Sequence, residues 1–368
     1  MQSEQNMQAD NQGASREPLL KVRGLTTAFK TGDSFSPVIE DINFNLYSHE
    51  TLAIVGESGC GKSVTSLSIM RLIQKPGKIV GGSVELDGRN LLDLSEEEMR
   101  AVRGNDISMI FQEPMTSLNP VFTVGKQVME SFQIHQHLAV PEAREKTIEM
   151  LKMVGVPSAE TVFKQYPHEL SGGMRQRVMI TMALACRPRV LIADEPTTAL
   201  DVTIQAQILL LLRELEKEIG TATILITHDL GVVAQIAQYV MVMYAGQAVE
   251  YGPVKQIVED PLHPYTLGLL KCLPRLHQKV DRLYSIKGSV PSPDAYAAGC
   301  RFCPRCDCAL EHCLTQQPPL VELPDGRRVR CWKFVSKGKV VRGASDAVPS
   351  ADAPVATKDG ETGEGRNE

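Results

Sequence analysis

No stretch of this chain stays apolar long enough to cross a membrane. Segments such as 208–212 and 224–226 fall far short of the roughly 20 residues a spanning helix needs. The start, Met1-Gln2-Ser3-Glu4, lacks the basic region and apolar core of a secretory signal. A cytoplasmic location is therefore expected, with any membrane contact made through a partner. A strong excess of positive charge is also missing. A formal charge of −5 argues against a dominant nucleic-acid footprint, which shows as a basic surface. Aromatic residues make up only 5%, beside 43% apolar and 23% charged residues, an ordinary soluble composition.

The 368 residues suffice for one large or two modest domains with a buried core. Residues 1–18 are polar and read as a disordered tail, and 341–368, rich in Ala, Ser, Asp, Gly and Glu, as another. Between them the cysteines are unevenly spread: six of nine fall between Cys300 and Cys331. In a cytosolic chain such clustering reads as a metal or cluster site before it reads as disulfides.

The chemistry-bearing stretches come in a fixed order. The buried-strand run 51–55 feeds Gly56-Glu57-Ser58-Gly59-Cys60-Gly61-Lys62-Ser63 and then a helical pattern, the strand, loop and helix context of a phosphate loop. There the glycines, including Gly56, Gly59 and Gly61, let successive N–H groups, Ser58 among them, curl around β- and γ-phosphates. Lys62 neutralises those phosphates, and Ser63 offers a hydroxyl to Mg²⁺. Cys60 stands where a small Ser or Ala is expected and predicts sensitivity to thiol reagents. A second strand, 107–111, ends on Gln112, a neutral amide able to touch Mg²⁺ or an attacking water. The run Leu170-Ser171-Gly172-Gly173 opens an Arg-rich helix, whose free N–H groups form an anion cap. The apolar run 190–193 ends on Asp194-Glu195, two acids delivered to the carboxyl edge of a parallel sheet. A further strand, 223–227, ends on His228. Residues 240–244 and 247–251 read as a hairpin turning at Ala245-Gly246. Near the start, 20–23 and 26–29 read as two short strands, and 38–46 as another.

With these residues in order, the chain resembles the ATP-binding subunits of ATP-binding-cassette (ABC) proteins, in which Leu-Ser-Gly-Gly is the signature and Asp-Glu closes the Walker B strand. The string 113–120, Glu-Pro-Met-Thr-Ser-Leu-Asn-Pro, is similar to subunits that energise uptake of oligopeptides, dipeptides and nickel. The resemblance implies an α/β fold: a P-loop ATPase core of parallel sheet plus antiparallel β layer, an α-helical subdomain and a small Cys-rich C-terminal extension. It places the nucleotide-binding domain at 19–273, the helical subdomain at about 113–185 and the extension at 274–340. It implies that Phe29 stacks on adenine, that Asp194 serves Mg²⁺, that Glu195 polarises the attacking water and that His228 contacts the γ-phosphate. Ser171, Gly172, Gly173 and Asp201 would complete the site of an opposing subunit.

The implied partners are a second ABC ATPase subunit, two transmembrane permease subunits and, indirectly, an extracytoplasmic substrate-binding protein, with no nucleic acid. The implied place is the cytoplasmic face of the membrane. The implied activity is ATP hydrolysis driving import of di- or oligopeptides, with nickel or another small solute as alternative cargo. A soluble ABC ATPase acting on nucleic acid or ribosomes is the rival, although the long coiled coil, zinc hook or second cassette it calls for is not visible. A metal- or redox-sensing module with vestigial ATPase is another, and intact Glu195 and His228 argue against it. Cys300, Cys306, Cys313 and Cys331 match four cysteines of peptide-transporter ATPases, which implies a [4Fe–4S] cluster. A four-cysteine zinc site and unligated thiols remain alternatives, and Cys303 and Cys308 leave the ligand choice open.

Overall fold

The computed structural model describes residues 17–32, 34–112, 117–197, 201–273 and 284–341. The chain opens with β1 (Leu20–Thr31) and β2 (Ser34–Leu46), an antiparallel pair. The two short strands expected at 20–29 are thus one strand, interrupted by register shifts between Val22 and Leu25 and between Leu25 and Thr27. Gly24 lies between them at φ 56°, a left-handed bulge conformation that glycine adopts without steric cost. Strand β3 (Thr51–Val55), buried at every position, leads through the phosphate-loop sequence into α1 (Lys62–Ile69). Strands β4 (Gly77–Leu86) and β5 (Arg89–Asn90) complete a four-stranded sheet in the order β2-β1-β4-β5.

Helix α2 (Glu96–Val102) begins in a capping box formed by Ser95 and Glu98 and precedes β6 (Ile107–Ile110). The helices α3 (Val124–Gln136), α4 (Val140–Met153), α5 (Ala159–Val162) and α6 (Gly172–Leu184) come before the next strand. Their apolar stripes, including Val128, Phe132, Leu151 and Val178, share one core with Leu191 and Ala193. Then come β7 (Val190–Asp194), α7 (Val202–Ile219), β8 (Ala222–Thr227), α8 (Leu230–Ile236) and β9 (Tyr239–Tyr244). Strands β6, β7, β8, β3 and β9 pair in parallel. Their unbroken apolar runs suit a sheet covered on both faces. Strand β10 (Gln247–Pro253) turns back on β9 through Ala245 and Gly246, both at positive φ, as the sequence predicts. Helices α9 (Val254–Glu259) and α10 (Pro264–Lys271) follow. Among the described residues no helix is long and apolar enough to cross a membrane.

The Cys-rich extension does not stand apart. Its strands β11 (Val321–Glu322), β12 (Arg328–Val329) and β13 (Lys339–Val340) extend the main sheet to the order β13-β11-β12-β10-β9-β3-β8-β7-β6. Phe302 enters the core beside Val240, Val242, Tyr244 and Tyr265. Four arginines of the extension pair with acids of the preceding body: Arg301 with Glu40, Arg305 with Glu57, Arg327 with Asp260 and Arg330 with Asp41. These contacts give this segment of few apolar residues a source of stability that needs no metal.

The junction carries a pH-dependent element. His263 caps α10, its Nδ1 accepting from the Tyr265 N–H at 3.1 Å. The backbone N–H groups of Leu262 and His263 donate to the buried Glu250 carboxylate at 2.8 and 2.9 Å. Burial pushes the His263 pKa down to about 3 from 6.5. A depressed folded-state value means that stability is complete above the unfolded-state value and falls as pH drops from 6.5 towards 3. The slope is at most about 1.4 kcal/mol per pH unit. His263→Asn keeps a capping acceptor without a titrating ring. Urea denaturation at pH 7 and pH 5 should show the wild type losing about 2 kcal/mol more than the variant; equal losses would contradict the buried neutral imidazole.

Candidate nucleotide site

The phosphate loop is shaped by where glycine alone fits. At Gly56, φ is 154° and a Cβ would lie 2.3 Å from the Met243 carbonyl oxygen. At Gly61, φ is 104° and a Cβ would lie 2.7 Å from Ile39 Cγ2. Ser58 and Gly59 form the exposed tip. Lys62 is buried, and its ammonium donates to the carbonyls of Gly56 at 2.9 Å and Glu57 at 3.2 Å. Its charge is thereby held at the start of α1, where backbone N–H groups also await an anion. Cys60 is fully buried, and burial pushes its thiol up to about 11. The expected reactivity towards thiol reagents is therefore not supported, because attack requires an accessible thiolate.

Two acids reach this loop from β7. Ser63 Oγ donates to Asp194 Oδ1 at 3.1 Å. Burial raises the Asp194 pKa, the Ser63 hydrogen bond opposes that, and the nearby Glu195 charge adds to it. A hydroxyl beside a carboxylate at a phosphate site is a set of hard oxygen donors that suits Mg²⁺. Glu195 sits just past the strand at φ 47°, in the left-handed region, which costs a non-glycine residue about 1–3 kcal/mol. Its N–H donates to the Ile226 carbonyl at 2.9 Å, which fixes this turn. Its carboxylate accepts from Gln112 Nε2 at 3.1 Å and lies 3.9 Å from Lys62 Nζ and 3.8 Å from His228 Nδ1. Gln112 and His228 are exposed and Glu195 is half-buried. The structure thus gathers Lys62, Ser63, Gln112, Asp194, Glu195 and His228, contributed by α1 and the ends of three strands, at one sheet edge.

The other expected residues lie elsewhere. Ser171 caps α6, accepting from the Met174 N–H at 3.4 Å, and Ser171 and Gly172 are exposed. Gly173 is close to α7, where a Cβ would meet Ile204 Cγ2 at 3.1 Å. Asp201 is exposed and caps α7 by accepting from the Ile204 N–H at 3.0 Å. Among the described residues, no hydrogen bond or ion pair joins Ser171, Gly172, Gly173 or Asp201 to the phosphate loop. Phe29 lies in the four-stranded sheet with its ring against Gly77. Residues 113–116 of the string shared with uptake ATPases lie outside the described residues. The sequence reading missed Gln176, whose buried amide donates to the Pro196 carbonyl at 2.5 Å. That bond ties the signature helix to the turn carrying Glu195, and glutamine inside an Arg-rich helix gives no signal of it.

The six clustered cysteines line one small cavity with His263, Phe302 and Trp332. Burial pushes the Cys300 thiol up to about 11 and raises Cys303, Cys306 and Cys331 too. Yet among the described residues no three His, Cys, Asp or Glu side chains converge as a metal-binding group. The expectation of a [4Fe–4S] cluster on Cys300, Cys306, Cys313 and Cys331, and of zinc as its alternative, is therefore not supported. Gathering thiols around an apolar space is a weaker condition than aiming four thiolates at one point.

Comparison with known proteins agrees with this geometry. Residues 39–198 match the ABC transporter family, and residues 249–313 match the oligopeptide/dipeptide transporter C-terminal region. The oligopeptide transport ATP-binding protein AppD of Bacillus subtilis is 51% identical over 321 residues, spanning 87% of this chain and 98% of the relative. A putative peptide import ATP-binding protein of Brucella ovis is 51% identical over 332 residues, with the same coverage of each. Among solved structures, the ATP-binding cassette MJ0796, in a dimeric post-hydrolysis state bound to ADP and Pi, is similar at TM-score 0.58 and 29% identity. It covers 64% of this chain and 98% of its own. CbiO1 of Clostridium perfringens, part of the cbiONQ ABC transporter complex, gives TM-score 0.57 and 29% identity, covering 66% and 92%. This chain belongs to the ATP-binding subunits of ABC transporters, in the oligopeptide/dipeptide transporter group.

Proposed function

We propose that this chain binds and hydrolyses ATP to energise the import of di- or oligopeptides through a membrane permease. The observation that carries the chemistry is the Glu195 carboxylate, held among Lys62, Gln112 and His228 within 4 Å. In this reading the loop N–H groups and Lys62 neutralise the β- and γ-phosphates. Glu195 accepts the proton of the attacking water, Gln112 orients that water, and His228 donates to the γ-phosphate, stabilising the charge that develops. Ser63, Asp194 and Gln112 would hold Mg²⁺, which supplies further neutralisation of the phosphates when bound. Phe29 would stack on adenine.

The helix cap at Ser171, Gly172 and Gly173, together with Asp201, would serve the γ-phosphate site of an opposing ATPase subunit. A charge-assisted hydrogen bond contributes about 1.5–3 kcal/mol, and moving a two-state equilibrium from 1:99 to 99:1 takes about 5.5 kcal/mol. Two or three such bonds per site would close a dimer, and their loss on hydrolysis would reopen it. Residues 19–273 form the ATPase unit, the helices within 113–185 face two permease subunits, and 274–340 form the extension. The working position is the cytoplasmic face of the membrane, with a substrate-binding protein on the far side. Cargo identity in the relatives' names supports peptides.

The test is ATP turnover of the purified chain, alone and co-expressed in membranes with permease subunits and a second ATPase, with and without peptide. Turnover that needs the assembled complex and rises with peptide is expected. Turnover indifferent to any membrane partner would sink the importer reading.

A further inference from the structure

The phosphate loop carries an acid of its own, and the C-terminal extension supplies its counter-charge. Arg305, whose side chain is only 5% exposed, donates to Glu57 through both ends of its fork, Nη1 to Oε2 at 2.7 Å and Nη2 to Oε1 at 3.0 Å. The rest of the guanidinium is also committed. Nε donates to the Lys287 carbonyl at 2.7 Å, Nη2 to the Gly288 carbonyl at 3.2 Å, and Nη1 to Tyr244 Oη at 3.5 Å. A guanidinium with acceptors for all five N–H donors holds its carboxylate in one place, which a lysine cannot do.

Glu57 is itself bound to Lys62. Its carbonyl accepts from Lys62 Nζ at 3.2 Å, and its N–H donates to Tyr265 Oη at 2.9 Å. Tyr265 packs against Phe302 of the extension, ring centroids 5.4 Å apart. A second brace runs from Arg301, which donates to the Ala245 carbonyl at 2.6 Å. The next residue, Gly246, gives its N–H to the Cys60 carbonyl in the phosphate loop at 2.9 Å. Unpaired, the Glu57 charge would sit in a loop that must accept a triphosphate.

We propose that Arg305 is a positioning residue for the phosphate loop: by fixing and neutralising Glu57 it makes the C-terminal extension a determinant of ATP affinity. This rests on the nucleotide-site reading above. It assigns the extension a part in the ATPase cycle that does not depend on what its cysteines bind.

The experiment measures ATP affinity, KM and kcat of the full chain as wild type, R305Q, R305K and E57Q/R305Q, with melting temperature as the control for folding. R305Q should weaken ATP binding and raise KM about tenfold, equivalent to about 1.4 kcal/mol, with kcat at saturating ATP nearly unchanged. E57Q/R305Q, which also removes the stranded charge, should recover to within about threefold of wild type. A contact that only supports folding would not be rescued by losing its partner. R305K keeps the charge without the fork and should raise KM about threefold. It serves if R305Q does not fold, and an unchanged KM in R305K would then overturn the proposal. So would R305Q that melts as wild type and binds ATP as tightly, or a double variant as weak as R305Q. If the wild-type chain itself binds no ATP, the nucleotide-site reading falls and this inference with it. Equal binding by wild type and R305Q removes this inference alone.

Discussion

Replacing Glu195 with glutamine is expected to cut ATP turnover by about 10²–10⁴-fold, the usual contribution of a positioned general base, while leaving ATP bound. The substitution is nearly isosteric. The amide can still meet Gln112, and the Glu195 N–H still anchors the left-handed turn through the Ile226 carbonyl. What disappears is the negative charge facing Lys62 and His228 and with it the proton acceptor. The γ-phosphate contacts are untouched, so ATP should be retained and any nucleotide-closed dimer should persist. Steady-state hydrolysis and retained ATP on a sizing column check both halves. Turnover above about a tenth of wild type would deny Glu195 the role of principal base, because a hundredfold loss is the low end for removing one.

That site was largely legible in the sequence because its parts are local. Strands β3, β7 and β8 are continuous apolar runs that each end on a chemical residue or a glycine-rich loop, so period and terminus announce them together. The hairpin at Ala245-Gly246 was equally plain, since a short glycine-containing break between two apolar runs marks a turn, and the structure puts both residues at positive φ. Strand β4 was not legible: its run is broken by Gly81 and Gly82, and its outward positions are exposed. The strands of the extension are two residues long and form by adding one after another to the sheet edge, β12 to β10, β11 to β12 and β13 to β11. The Arg305 to Glu57 pair bridges 248 residues, and no periodicity connects charges at such distance. Two expectations taken from residue type found no support, because type alone does not give burial or aim. Cys60 lies sealed beneath the loop, and the clustered thiols share a cavity without converging.

Lys62 gives the second large effect. Its ammonium is already held by the carbonyls of Gly56 and Glu57, so the loop that binds phosphate and the cation that neutralises it are one assembly. Lys62→Ala removes the cation facing Glu195 at 3.9 Å. It leaves Asp194, whose pKa burial already raises and the Lys62 charge opposes, with less reason to ionise. Two charge-assisted hydrogen bonds to phosphate, at about 1.5–3 kcal/mol each, set the expected loss at roughly 10²–10⁴-fold in ATP affinity, with hydrolysis abolished at millimolar ATP. Lys62→Arg should fail as well, because the planar fork cannot occupy the compact position between two carbonyls. Titration with ATP separates this from Glu195→Gln: the lysine variants should lose the nucleotide, whereas the glutamate variant should keep it. Wild-type affinity in Lys62→Ala would mean that the glycine loop alone binds the triphosphate, and the electrostatic account of this site would be wrong.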